Sequence, residues 1–93
     1  MNLFEMRDLR EAIEHAKGGG QALHLMSGGW PVGPECFRKA KEFAHLFDQD
    51  PVRLFKTAKR LGVRRPVISR RGEPGQHVDL CGRPLERARL ELA

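Results

Sequence analysis

The stretch from Ala58 to Gly72, AKRLGVRRPVISRRG, decides between two folds for the middle of the chain. In the first, Gly62 is the turn of a helix-turn-helix motif, and a second helix follows it to enter the major groove of DNA. In the second, the helix ends at Gly62 and an extended arm follows. Both folds use the same composition, so helix caps, prolines and the flanking sequence have to separate them.

The residues before Gly62 predict a helix over 51–61 in either fold. Asp50 is a residue type that caps helices, Pro51 suits the first helical position, and Gly62 suits the position after the last turn. One face of this helix is apolar, with Val52, Leu54, Phe55, Ala58 and Leu61. The opposite face is basic, with Arg53, Lys56, Lys59 and Arg60.

The residues after Gly62 favour the extended arm. Arg64 stands where a serine or threonine would cap a second helix, and its side chain has no acceptor for the free amides. Pro66 and the β-branched pair that follows it favour an extended backbone. A helix-turn-helix DNA-binding regulator at residues 58–70 stays as the alternative interpretation.

The N-terminal third contains one predicted helix and one predicted strand. Residues 1–17 are predicted to form the N-terminal helix. Apolar residues recur at helical spacing on one of its faces, at Met6, Leu9, Ile13 and Ala16. The region 18–35 is rich in glycine and proline, and it predicts a buried strand at 22–26 and a loop at 28–35. We expect Trp30 in this loop to fold back over the core.

The remaining region, 36–93, is predicted to be a basic core that ends in a strand and a helix. Its first part, up to Asp50, fits either one helix or a shorter helix followed by a strand. HVDLC at 77–81 is a second extended segment, and RPLERARLELA at 83–93 is a helix. These elements predict a small, single α+β domain with three to four helices and a short sheet of two or three strands.

The positive charge of the chain is clustered. The 93 residues carry 17 Lys and Arg against 12 Asp and Glu, a formal net charge of +5. From Arg53 to Arg71 there are eight basic residues and no acidic one. Such a cluster fits an anionic partner. The candidate phosphate contacts are Lys56, Lys59, Arg60, Arg64, Arg65, Arg70 and Arg71.

The clustered charge predicts a small, non-catalytic binding module that engages nucleic acid, or a complex that contains it, through its arginine-rich face. An acidic protein surface is the alternative partner, as for a phage-encoded inhibitor of a host system. A homodimer would supply burial that a chain of this length lacks. No apolar run approaches the roughly 20 residues of a membrane span, so we expect a cytoplasmic protein without a membrane partner.

The longer frame from Leu54 to Ala88, LFKTAKRLGVRRPVISRRGEPGQHVDLCGRPLERA, resembles a family of small bacterial and phage proteins, domain of unknown function 4031. In that family a helix ends in R-hydrophobic-G-hydrophobic-R-R, and a short linker leads to H-Y-D-L and an arginine-rich helix. The matching positions are Arg60, Leu61, Gly62, Val63, Arg64, Arg65, His77, Asp79, Leu80, Arg83, Arg87 and Ala88.

Upstream, AHLFDQD is similar to the SHL-A-D segment of the same family, at Ala44, His45, Leu46 and Asp48. The resemblance covers the C-terminal half. Val78 replaces the tyrosine of the family pattern, and the first 40 residues do not look like its opening strand. The resemblance therefore implies an architecture and no activity.

His77 and Asp79 are weak candidates for a catalytic pair. Two apart on an extended segment, they project from one face and could meet a metal ion or a phosphate-bound water, or simply fix the turn into the last helix. A Cys₂His₂ zinc set can be written from Cys36, His45, His77 and Cys81. It lacks the C-x₂-C spacing of strong zinc motifs. We expect a protein that is not an enzyme, with no cofactor, no metal and two reduced thiols.

Overall fold

The computed structural model describes residues 1–92. Its helices are α1 (Leu9–Lys17), α2 (Glu35–Lys39), α3 (Pro51–Leu61) and α4 (Arg83–Leu92), and a 3₁₀ turn at Met6–Asp8 precedes α1. Its strands are β1 (Asn2–Phe4), β2 (Ala22–Ser27), β3 (Glu42–Phe47) and β4 (His77–Leu80), which form one sheet in that order. The fold class is α+β, as predicted, and the sheet has four strands where two or three were expected.

The sheet is mixed because one of its strand pairs is parallel. β1 and β2 run parallel, with Asn2 opposite Ala22, and α1 provides the crossover that a parallel pair requires. The other two pairs are antiparallel, with Leu23 opposite Leu46 and Leu46 opposite Val78. This register places these three apolar side chains on one face of the sheet.

The main hydrophobic core lies between that face and two helices. The helices contribute residues that are at most 5% exposed: Leu54, Ala58 and Leu61 from α3, and Leu85 and Ala88 from α4. On the second face, α1 packs Ala16 with Ala22 and Phe47 in a smaller cluster. The second face also carries histidine and aspartate side chains from β2, β3 and β4.

The prediction that residues 1–17 form one helix is wrong at its start. Residues 2–4 are the edge strand β1, whose Asn2 amide donates to the Gln21 carbonyl at 3.0 Å. Pairing with the open edge of β2 satisfies backbone groups that a helix would satisfy internally. The predicted buried face also differs, because Met6 and Leu9 are exposed while Ala12 and Ala16 are buried. Alanine at these positions lets α1 approach the sheet closely.

The prediction for the central helix is confirmed, including its two ends. The Asp50 carboxylate accepts the amides of Val52 and Arg53 at 3.0 and 3.1 Å, and Gly62 ends the helix with a φ of 108°. The buried face is rotated from the predicted one. Val52 and Phe55 are exposed and Thr57 is buried, because residues 54, 57, 58 and 61 form the stripe that faces the sheet.

The arm after Gly62 is irregular, with bends at Arg64 and Arg65 and turns over 70–75. Its only ladder contact in the described chain is an isolated antiparallel bridge between Ser69 and His77, in which each amide donates to the other residue's carbonyl at 2.8 and 3.1 Å. No described residue between Leu61 and Arg83 belongs to a helix. The second helix of the helix-turn-helix alternative is therefore absent from this segment.

The other predicted elements lie close to their predicted positions. The strand expected at 22–26 is β2, the segment expected at 77–81 contains β4, and the helix expected at 83–93 is α4. The segment before Asp50 adopts the second of its two predicted forms, the short helix α2 followed by β3. Within residues 1–92, no helix has the length and hydrophobicity needed to span a bilayer.

The expectation of two reduced thiols is wrong in this structure, where Cys36 and Cys81 form a disulfide. Their Cα atoms are 6.4 Å apart, within the range that a disulfide bridges. The pairing depends on the packing of α2 beside the end of β4, which joins residues 45 positions apart. Residue spacing alone does not reveal such a contact.

Candidate metal centre

A row of polar side chains crosses three strands on the second face of the sheet. His24 on β2 lies opposite His45 on β3, and His45 lies opposite Asp79 on β4. His77 joins the row because alternate residues of a strand project to the same face. The sequence places His77 and Asp79 on one face correctly, and the sheet register adds His45 and His24 to them.

Hydrogen bonds assign the proton positions on the first two histidines. His24 Nε2 lies 2.9 Å from the Met6 carbonyl oxygen, which can only accept, so Nε2 carries the hydrogen. The neutral ring then has a lone pair on Nδ1, which accepts from His45 Nδ1 at 3.3 Å. His45 is left with a lone pair on Nε2, the atom that faces Asp79.

The same reasoning applies to His77. Its Nδ1 donates to the Gly75 carbonyl at 2.7 Å, so in the neutral form of the ring the lone pair is on Nε2. Asp79 Oδ1 lies 3.6 Å from His77 Nε2 and 3.7 Å from His45 Nε2, distances too long for hydrogen bonds. These three atoms all lie within 4.8 Å of one another. With both rings neutral and the carboxyl ionised, the result is a cluster of three acceptors with no hydrogen between them.

Asp79 Oδ1 is inaccessible to solvent and has no hydrogen-bond partner within residues 1–92. A buried acceptor without a partner is expensive, and native proteins contain few of them. Burial raises the pKa of the Asp79 carboxyl, and the nearby His77 only partly offsets this. A cation between Asp79 and the two imidazoles would satisfy the orphaned oxygen.

The electrostatics of His45 keep its ring neutral. Burial lowers its pKa to about 4, and the neighbouring His77 and His24 act in the same direction. Aromatic rings surround it, since Phe43 and Phe47 lie 5.4 and 5.2 Å from its centroid. At neutral pH the Nε2 lone pair of His45 is therefore available as a ligand.

Comparison of the chain with models of known protein families, with curated proteins and with solved structures found no match. The resemblances to domain of unknown function 4031 and to helix-turn-helix proteins stay predictions. The roles of the site residues rest on their geometry.

The Cys₂His₂ set that can be written from the sequence is not assembled. The sulfur atoms of Cys36 and Cys81 are bonded to each other, which removes both thiolates as ligands. Asp79 takes their place beside His45 and His77. Sequence reasoning missed this combination because it depends on the pairing of β3 with β4. The predicted resemblance of AHLFDQD and HVDL to two segments of one family is the signal that could have joined His45 to the pair.

The predicted phosphate contacts divide into two groups. Arg60 forms an ion pair with Glu91 on α4, and Lys59 Nζ donates to the Arg64 carbonyl at 2.9 Å. The others are exposed and form no ion pair within residues 1–92: Lys56, Arg64, Arg65, Arg70 and Arg71. Lys56 and Arg71 line one surface groove beside α3, whereas Arg65 lines a different cleft together with Asp79.

Proposed function

We propose that this domain binds a divalent transition-metal ion through His45 Nε2, His77 Nε2 and Asp79 Oδ1. The observation that carries the proposal is the convergence of three acceptor atoms, one of them a buried oxygen without a hydrogen-bond partner among residues 1–92. A purely structural His–Asp hydrogen bond needs a hydrogen on Nε2. In their neutral form, both imidazoles already place their single hydrogen on Nδ1. This proposal departs from the expectation that the chain binds no metal.

The surroundings of the two histidines support the same function. Metal-binding histidines donate their second N–H to a carbonyl, a carboxylate or another polar group, which fixes the ring and its tautomer. His77 does so to Gly75, and His45 does so to His24, which is itself held by Met6. Both rings are therefore orientated before a metal ion arrives.

The ligand set indicates the class of metal and of chemistry. Two imidazoles and one carboxylate suit zinc, iron(II) and related ions better than calcium or magnesium. Three protein ligands are typical of zinc sites that react, because they leave positions for water or substrate. In such a site the ion polarises a bound carbonyl or phosphoryl oxygen or activates a water molecule. His77 and Asp79, the weak catalytic candidates, would act here as ligands.

Cobalt(II) titration of the EDTA-treated protein tests the proposal. We expect one equivalent to bind, with the visible absorption of a low-coordinate site, and zinc to displace it. His77→Ala and the near-isosteric Asp79→Asn should each weaken metal binding by at least about 100-fold. The loss of a residue that only supports a ligand costs up to about that much, and these two residues are ligands themselves. His15→Ala, on α1 and outside the cluster, is the matched control. Absence of uptake, or equal uptake by all variants that keep the native circular dichroism, would contradict the proposal.

A second candidate function is nucleic-acid binding by the exposed basic side chains. The favouring observation is that five of them lie on α3 and the arm and have no acidic partner in the described part of the chain, residues 1–92. Phosphate contacts of this kind position a nucleic acid without reading its bases. Acidic protein surfaces present carboxylates to the same residues and are the alternative partner.

The salt dependence of the affinity tests the nucleic-acid function. Affinity for a single-stranded or duplex oligonucleotide should fall steeply between about 50 and about 200 mM salt. Substituting Arg64 or Arg71 by Gln should reduce the slope of log affinity against log salt by about 1 each. Lys17→Gln, on α1, is the control and should leave the slope unchanged. A flat salt response would reject the nucleic-acid function, and equal affinity for polyglutamate would favour the acidic-protein alternative.

A further inference from the structure

A cleft of about 260 Å³ opens on Asp79 beside β4, which is one of the two edge strands of the sheet. Two aromatic residues, Trp30 and Phe37, line the cleft. The arm after Gly62 contributes Arg65 and Val67 to the same lining. The cleft therefore joins a flat apolar wall, a guanidinium and one of the proposed metal ligands.

The aromatic wall is held in place by its neighbours. The Trp30 ring stacks on Phe37 with centroids 4.4 Å apart and meets the edge of Phe43 at 5.1 Å. α2, which carries Phe37, is linked to the end of β4 by the disulfide between Cys36 and Cys81. A fixed indole plane of this kind suits the face of a planar heteroaromatic ring, and such stacking is a common way to hold a nucleobase.

The charge of the cleft depends on the metal centre. Without a metal ion, the Asp79 carboxylate opposes the approach of an anion. A divalent ion on Asp79 and two neutral imidazoles leaves a local charge of about +1, and bound ions dominate the electrostatics of such sites. Arg65 adds a guanidinium, whose planar donors match phosphate geometry. With the metal bound, the cleft attracts a phosphate.

We propose that this cleft binds a mononucleotide, with its phosphate at the metal centre and Arg65 and its base against Trp30. The inference rests on the metal-binding function proposed above. The volume lies just below the usual range of small-molecule sites, about 300 to 1,000 Å³, so one nucleotide fits the cleft better than a dinucleotide. In this proposal Arg65 contacts a small phosphate ester in the cleft. The cleft is separate from the groove that Lys56 and Arg71 line.

The fluorescence of Trp30, the single tryptophan, gives a direct readout. Zinc-loaded protein is titrated with AMP, adenosine or ribose 5-phosphate, and calorimetry provides a second measure of affinity. We expect AMP to change the fluorescence and to bind at least about tenfold more tightly than either fragment, and tenfold more tightly with zinc than after EDTA treatment. The Arg65→Gln substitution should weaken the binding of AMP by about tenfold, because it removes a charge-assisted contact. Arg64→Gln, its neighbour outside the cleft lining, should not.

The outcomes separate the two proposals. Failure of the protein to bind zinc or cobalt removes the metal-binding function and this inference with it. Metal binding without AMP binding, equal AMP affinity with and without zinc, or an Arg65→Gln variant equal to the wild type overturns the nucleotide inference alone. Ribose 5-phosphate binding as tightly as AMP would exclude a role for Trp30 in holding a base. Adenosine binding as tightly as AMP would exclude the phosphate contact.

Discussion

Replacing Asp48 by asparagine is expected to lower the free energy of unfolding by about 3 kcal/mol at neutral pH, because it breaks a buried ion pair and leaves its partners unpaired. The Asp48 side chain is fully buried at the end of β3. Its carboxylate accepts two hydrogen bonds from Arg53, Nε to Oδ2 at 2.7 Å and Nη2 to Oδ1 at 2.8 Å. It also accepts the side-chain amide of Gln21 at 2.8 Å and the backbone amide of Asp50 at 2.9 Å.

These contacts join three separate parts of the chain. Arg53 belongs to the first turn of α3, and its Nη2 also donates to the carbonyls of Gly19 and Gly20 in the turn after α1. An asparagine at position 48 would place an NH₂ group where the carboxylate now accepts hydrogen bonds. The NH₂ group cannot accept hydrogen bonds from the same donors. The loss is placed at the lower end of the range for buried pairs because the Arg53 side chain is 45% exposed and can return to solvent.

The effect of Asp48→Asn should depend on pH in a defined direction. Burial raises the pKa of Asp48, but hydrogen bonds from Arg53, Asp50 and Gln21 and the charge of Arg53 outweigh it, so the pKa lies below its ordinary value of 3.8. A carboxyl whose pKa is lower in the folded state stabilises the fold above the unfolded value and loses this contribution as the pH falls through the folded value. The difference between wild type and variant should therefore be complete at neutral pH and shrink below pH 3.8.

Urea unfolding at a series of pH values measures this difference. Asp50→Asn is the matched control, since position 50 is exposed and asparagine caps helices as well as aspartate does. The control should change the stability by less than about 0.5 kcal/mol. If the two variants were equally stable at neutral pH, the buried pair would not be the link that holds β3, α3 and the glycine turn together.

The elements that sequence reasoning located well are those with local signals. α3 begins and ends where Asp50, Pro51 and Gly62 place it, because capping and left-handed glycine geometry involve only neighbouring residues. β1 was missed because a three-residue parallel edge strand is defined by its pairing with residues 22–24, which nothing in MNLF indicates. The exposure of Phe55 was missed for a related reason. The helical period groups apolar residues into a stripe, but it does not say which residues of that stripe face the sheet.

The candidate site shows the same division. Alternation along a strand was enough to place His77 and Asp79 together. The addition of His45 and His24 required the register of three strands, a non-local property that sequence spacing does not contain. The ion pair between Arg60 and Glu91 is also non-local, and it removes one residue from the basic set that clustering along the chain had suggested.

Removing the disulfide between Cys36 and Cys81 is expected to lower the free energy of unfolding by about 4 kcal/mol, the chain-entropy value for a cross-link that closes a loop of this length. The two residues are separated by 45 positions, so the bond restricts about half of the unfolded chain. α2 has five residues and none of them is buried, so besides the disulfide it is held by the contacts of Phe37 with Trp30 and Phe43 and by backbone hydrogen bonds to the Phe37 carbonyl. Loss of the bond should therefore also loosen α2 locally.

Thermal and urea unfolding of the variant with Cys36→Ser and Cys81→Ala test this, serine being chosen for the exposed position and alanine for the buried one. Reduction of the wild type should give a similar loss of stability, and the same reductant should leave the double variant unchanged, which separates the cross-link from the substitutions. Zinc affinity should change little in the variant, because His45, His77 and Asp79 lie on β3 and β4 and not on α2. AMP affinity should fall, because α2 carries one wall of the cleft. The opposite outcome is that the native protein has two thiols that react with a thiol reagent and an unfolding midpoint that does not change with reductant. That outcome would support the reduced cysteines that composition predicts.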